Sequence, residues 1–155
     1  MISWVLDAVS TADIDETIVV VGAIGLDEEL EGRDVVVIEN PDWEDGQATS
    51  LQVAWREADR RGHDAIVVGL GDQPMVSASA WDAVARSSSP IAVATYDNRR
   101  RNPVRLAKQV WPLLPDSGDE GARSVVRVRP DLVVEIPCQG HADDIDTLED
   151  LRRWN

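Results

Sequence analysis

Cysteine occurs once, at Cys138, so the chain cannot close an internal disulfide, and a thiol left free fits a reducing compartment. With that one cysteine and two well-separated histidines, His63 and His141, a Cys/His zinc site is not expected. Positive charge is scarce too: 15 Lys and Arg face 29 Asp and Glu, a net of −14, and the sole lysine is Lys108. A nucleic-acid groove or an anionic membrane surface needs a basic face, so neither is expected as the main partner. Long apolar runs are missing; the longest, Ile18 to Leu26, is too short and too broken by glycine to cross a bilayer. No basic stretch leading into an apolar one opens the chain, and a cytoplasmic location is expected. Neither GxGxxG nor GxxxxGK[ST] occurs, and Gly-x-Ser-x-Gly is absent, which removes the common dinucleotide, P-loop and hydrolase signatures.

What is present belongs to a folded protein. The 155 residues suit one domain with one sizeable core, at 43% hydrophobic and 28% charged content. Ile2, Val5, Leu6 and Val9 repeat at helical spacing. Thr17–Gly22 (TIVVVG) and Asp34–Glu39 (DVVVIE) carry β-branched residues on both faces, as strands buried on both sides do. Gln47–Arg61 reads as a helix with Leu51, Ala54, Trp55 and Ala58 on one stripe. Ala65–Leu70 is an apolar strand, Ser77–Arg86 a helix capped by Ser77, and Ile91–Tyr96 and Leu132–Ile136 are further strands. Val104–Leu114 is ambiguous because Pro112 interrupts it. Ser117–Glu120 resembles a capping box opening a helix to about Arg129, and Thr147–Asp150 a second one opening a terminal helix through Trp154. Buried strands alternating with amphipathic helices predict an α/β fold, a three-layer α/β/α sandwich around a mostly parallel, Rossmann-like sheet. In such sheets chemistry gathers at the carboxyl ends of the strands.

The loops at those ends hold the candidate residues. Gly71-Asp72-Gln73-Pro74 follows an apolar strand directly, and a carboxylate there suits Mg²⁺, which takes a few hard oxygens alongside phosphates and water. The alternative is an aspartate that caps a turn. Asp144 and Asp146 lie two apart, on one face if the segment is extended. One of them is a candidate second metal carboxylate; both also suit the approach to a helix N-terminus. Gly118 to Arg123 joins small residues to a helix start, where backbone N–H groups and Arg123 can meet an anion, or simply begin a helix. Arg99-Arg100-Arg101-Asn102-Pro103 is the one basic cluster and reads first as a solvated loop, with phosphate capture as the alternative. Turn chemistry accounts for Asn40-Pro41-Asp42-Trp43, although Asn40 can also pair with a nucleobase edge. His63 reads as a helix-end residue.

Taken in order, NPDWEDGQATSL (40–51), VVGLGDQPMV (67–76), NPVRL (102–106), SGDEGAR (117–123) and DIDTLEDL (144–151) resemble the molybdenum cofactor cytidylyltransferases of the MobA-like nucleotidyltransferase superfamily. The resemblance runs from Met1 to the C-terminus and treats residues 1–155 as a single domain of the nucleotide-diphospho-sugar transferase type. It implies Mg²⁺-dependent transfer of CMP from CTP to the phosphate of molybdopterin, with release of pyrophosphate. By that resemblance Asp72 binds the metal and Asp146, or else Asp144, completes its site. Asn40, Gly46 and Ser50 match the stretch facing the nucleotide base, while Asn102, Pro103 and Arg123 fall on the pterin side. A molybdenum hydroxylase apoprotein is the implied protein partner.

One departure bears on activity. Family members begin with a strand and a glycine-rich loop, LAAGxSxRxGxxK, that grips the triphosphate; here the chain opens in the helix that follows. The reading therefore expects a chain truncated at its N-terminus, with a mid-sheet strand absent and weak or no turnover. Leu148 stands where the family has proline, a change a helix start tolerates. Two alternatives accompany this reading: guanylyl transfer to a small phosphorylated acid, and a non-catalytic module that carries the pterin.

Overall fold

The computed structural model describes residues 1–143. Six strands and five α-helices follow in the order α1 (Ile2–Ser10), β1 (Ile18–Val21), α2 (Asp27–Leu30), β2 (Val36–Glu39), α3 (Gln47–Arg60), β3 (Ala65–Val68), α4 (Ala78–Ala85), β4 (Ile91–Tyr96), β5 (Arg99–Ala107), α5 (Ala122–Val128) and β6 (Val133–Pro137). The terminal helix expected from Thr147 lies outside the described residues.

Two apolar clusters sandwich the strands and give the three expected layers. On one face α1 and α4 send Val5, Val9, Trp81 and Val84 onto Ala92, Ala94 and Tyr96 of β4. On the other, Leu51 and Ala58 of α3 and Val125 of α5 pack with Trp111 against Ile91, Val93, Val104 and Leu106. β4 is buried along its whole length because both clusters close on it. Trp55 of the α3 stripe stacks on Trp111, ring centroids 5.9 Å apart. Ser77 caps α4 as its type predicts, its hydroxyl accepting the N–H of Ala80.

The sheet is in two parts. β1 and β2 pair in parallel, and the larger part runs β3-β5-β4-β6. There β5 is antiparallel to both β3 and β4, while β4 and β6 are parallel. Among the described residues, β1 therefore has a strand on one side only, and so does β3.

Three local expectations are corrected. The basic cluster is no loop: Arg99–Arg101 open β5, the longest strand. Asp97 and Asn98, both at positive φ, make the tight two-residue turn from β4 that sends them back along it. The second correction is β2, which is not covered on both faces, since Val37 is 48% exposed; this is an outer strand with one open side. Third, Ser117–Glu120 starts no helix, because α5 begins at Ala122 behind Gly121. The Gly118 carbonyl instead accepts the N–H of Ala48, covering a free donor in the first turn of α3, and the Gly118 N–H donates to the Asp45 carbonyl.

Candidate functional site

The carboxyl end of β3 runs through Gly69 and Leu70 into the turn that carries Asp72. Asp72 is half-buried there, with Oδ1 shielded from solvent. The next residue fixes this turn. Gln73 is only 2% exposed; its Oε1 accepts Nδ2 of Asn102 at 2.9 Å, and its Nε2 donates to the Ala142 carbonyl at 3.3 Å. One buried amide thus ties the Asp72 turn to β5 and to the segment that enters Asp144. Gly140 lies beside the same turn, an added Cβ there falling 3.8 Å from the Met75 carbonyl oxygen. Asp144 and Asp146 themselves lie outside the described residues.

Asn102 is placed by an irregularity in β5. Val93 of β4 pairs with Val104, and the next residue, Ala94, with Arg101, so Asn102 and Pro103 have no counterpart across the ladder. Such a bulge re-aims side chains next to sites. The Asn102–Pro103 bond is cis. Asn102 turns to the Gln73 side, whereas Pro103 is fully buried. Pro103, expected on the substrate side, thus packs within the fold.

Asn40, expected to face the nucleotide base, is buried as well. It is 2% exposed, and its Nδ2 donates both hydrogens, to Thr49 Oγ1 at 2.8 Å and Ser50 Oγ at 2.9 Å. Its Oδ1 accepts the Asp42 N–H at 3.0 Å. No donor is left over for a nucleobase. Asn40 joins the end of β2 to the first turn of α3 and holds the Ser50 hydroxyl. Gly46 has φ 102°, and a Cβ there would come within 2.5 Å of the Gly118 carbonyl carbon; only glycine lets these two loops close. Gly71 carries no comparable demand, since its nearest neighbour would be Ile2 Cδ1 at 3.5 Å.

A cavity of about 1300 Å³ opens where these pieces meet, and Ser50, Gly71, Gln73, Asn102 and Arg123 all line it. Arg101 and Arg105 face it from β5. Burial alone lowers the pKa of Arg105, whose Nη1 donates to the Ser89 carbonyl at 2.7 Å. Arg123 is exposed, and no ion pair to it occurs among the described residues. Its neighbour Arg127 is held by Glu120 at 2.5 Å. Lys108 sits elsewhere, paired with Asp59 at 2.5 Å. In a chain of net −14, then, an exposed arginine with no carboxylate partner among the described residues lines the cavity. The described residues contain no group of three or more His, Cys, Asp or Glu side chains that could hold a metal ion.

The model of the MobA-like NTP transferase domain matches residues 1–134. The chain belongs to this family. Among curated proteins it is similar to the purine catabolism protein PucB of Bacillus subtilis (strain 168), 33% identical over 114 residues, which are 70% of this chain and 56% of that one. It is also similar to nicotine blue oxidoreductase of Paenarthrobacter nicotinovorans, 31% identical over 130 residues, 76% of this chain and 63% of that one. The chain thus spans less than two thirds of either relative. The crystal structure of Rv0371c from Mycobacterium tuberculosis H37Rv, in complex with manganese, superposes with a TM-score of 0.77 at 29% identity, covering 98% of this chain and 84% of that one. Mth528, a nucleotidyl transferase from Methanothermobacter, shares the fold with a TM-score of 0.81 at 24% identity, covering 99% and 77%. The MobA-like fold accounts for the layers.

Gln73 was visible in the sequence only as part of GDQP; nothing there showed its bond to Ala142, 69 residues away. Arg101 and Arg105 had an available signal, since they alternate with Pro103 as one face of a strand does.

Proposed function

We propose that this MobA-like domain transfers CMP from CTP to the phosphate of molybdopterin and releases pyrophosphate. The observation that carries the reading is that Ser50, Gln73, Asn102 and Arg123 line one cavity, with Asp72 in the turn between Gly71 and Gln73, which both line it. A phosphate oxygen of the pterin attacks the α-phosphorus of CTP in line with the bond to pyrophosphate, which breaks as the new P–O bond forms. That oxygen is already ionised, so no general base is required and positioning with charge neutralisation does the work. Arg123 and Arg101 supply fixed positive charge to the phosphates. Asn40 holds the Ser50 hydroxyl at the cavity wall, and Gln73 holds the turn that presents Asp72.

A divalent ion fits this donor set in part: Asp72 is a hard, half-buried carboxylate on the turn fixed by Gln73. Asp146, or Asp144, is the proposed second ligand. When bound, Mg²⁺ neutralises charge on the triphosphate and the departing pyrophosphate. The manganese in the Rv0371c crystal supports a divalent ion on this fold. The names of the curated relatives specify neither CTP nor a pterin, so that choice rests on the ordered motifs of the sequence.

Pyrophosphate release from CTP, Mg²⁺ and molybdopterin is the test. Slow release that GTP does not support, and that Asp72→Asn abolishes, fits the reading; faster release with GTP moves it to guanylyl transfer. A second reading is favoured by one observation: the sole lysine is paired with Asp59 and does not line the cavity. On that reading the domain carries the pterin without reaction. It binds pterin, ignores CTP–Mg²⁺, and is untouched by Asp72→Asn.

A further inference from the structure

β2 is the outer strand of the smaller sheet part, and its own hydrogen bonds show which of its backbone groups are spare. The N–H of Val36 donates to the Thr17 carbonyl and that of Asn40 to the Val21 carbonyl, both at 2.8 Å. In a parallel pair the inward bonds fall on every second residue, so the N–H and C=O of Val37 and Glu39 point away from β1. No strand pairs with that side among the described residues. The apolar row on the α1 face stops there too. Val19 is 7% exposed, whereas Val37, its counterpart across the ladder, is 48% exposed. An open edge with a bared valine is a surface that extended chains join.

Charge decides what it accepts. Residues 27–45, which lead into β2, form it and leave it, hold nine Asp and Glu against one cation, Arg33, and Arg33 is already paired with Asp7 at 2.8 Å. A second copy of this chain laid edge to edge would set two such carboxylate stretches against each other, a like-charge contact that opposes pairing. We propose that the β2 edge docks an extended basic segment of another protein, which adds a strand beside β2. One apolar residue of the segment lies opposite Val37, and a Lys or Arg opposite Glu39. Carboxylates flank the strand at both ends, with Asp34 before it and Asp42 after it, both exposed. The segment therefore carries cations on both sides of its apolar residue. No residue of β2 lines the cavity, so the inference stands apart from the reaction and holds whichever substrate the domain takes.

The probe is a synthetic peptide, Lys-Arg-Lys-Thr-Val-Thr-Lys-Arg-Lys, labelled for fluorescence anisotropy and added to the full chain. It is expected to bind, more weakly as salt rises. Amide exchange is expected to slow at Val37 and Glu39, while Val36 and Asn40, already bonded to β1, change little. Two altered peptides, one with Glu at every cationic position and one N-methylated through its Thr-Val-Thr core, are expected to bind at least about tenfold more weakly. Val37→Pro removes an outward N–H and breaks no bond to β1, and Glu39→Lys reverses the facing charge. Each is expected to weaken the first peptide to the same degree while far-UV circular dichroism stays unchanged; the N-methylated peptide makes the same test on the unaltered chain. The proposal is overturned if the first peptide does not bind, or if the N-methylated one binds as well, since charge alone then suffices. It is equally overturned if Val37 and Glu39 are already protected in the free chain, or if two copies of the chain pair through this edge and the peptide does not compete.

Discussion

Replacing Gly69 by alanine tests how the layer over the Asp72 strand end is built. A Cβ at Gly69 would lie 2.3 Å from Cη2 and 2.7 Å from Cζ2 of Trp81, against 3.4–4 Å for ordinary contact. The overlap exceeds 1 Å, and Trp81 has little room to yield. It is 5% exposed and belongs to the cluster of Val5, Val9, Ala80, Val84 and Tyr96. Forcing a methyl into such packing costs about 1–3 kcal/mol, which in a domain of this size lowers Tm by about 2–12 °C. Gly25 is the control, since its Cβ would meet only Asp27 Oδ2 at 3.8 Å; there alanine is expected to be neutral or to stabilise by about 0.4–1 kcal/mol. Thermal melts of both variants are the assay, with Gly69→Ala repeated on a Trp81→Leu background. If the indole is the obstacle, the methyl costs little once it is gone. A Gly69→Ala protein melting with the wild type, or a penalty that persists without the indole, would refute the packing described.

Asn40→Ala leaves the Asp42 N–H and two hydroxyls without their amide and is expected to cost about 1–3 kcal/mol in urea melts. Arg123→Ala is expected to leave stability within about 0.5 kcal/mol, the residue being exposed, while weakening molybdopterin binding about tenfold by calorimetry. Glu16 supplies a pH test. Arg61 and then His63, both hydrogen-bonded to it, pull its pKa from 4.5 down to about 2. A depressed folded pKa means this contribution is complete above 4.5 and lost as pH falls towards 2. Glu16→Gln is therefore expected to flatten the acid limb of stability against pH over that window, read by denaturant midpoints.

Most of the fold was legible because its strands and helices carry periodic apolar residues. The α3 stripe, the Ser77 cap and the β4 run each have a local cause that the chain states directly. β5 was not legible, since three arginines and Asn-Pro look like a loop until the Asp97–Asn98 turn lays them beside β4. Nor was the 117–121 loop, whose Gly118 carbonyl serves a helix about seventy residues earlier and not the one that follows. The Asp72 turn was visible as a carboxylate at a strand end. The burial of Asn40 and Pro103 was not, because a polar or ring side chain in a turn looks the same in sequence whether it faces a ligand or the core.

The most direct measurement is Mn²⁺ binding to the full chain, followed by electron paramagnetic resonance with and without CTP. The account predicts that CTP tightens Mn²⁺ binding and that Asp72→Asn weakens Mn²⁺ binding in the presence of CTP at least tenfold, about 1.4 kcal/mol or more, with the melt unchanged. Equal Mn²⁺ binding by the wild type and Asp72→Asn in the presence of CTP would contradict it.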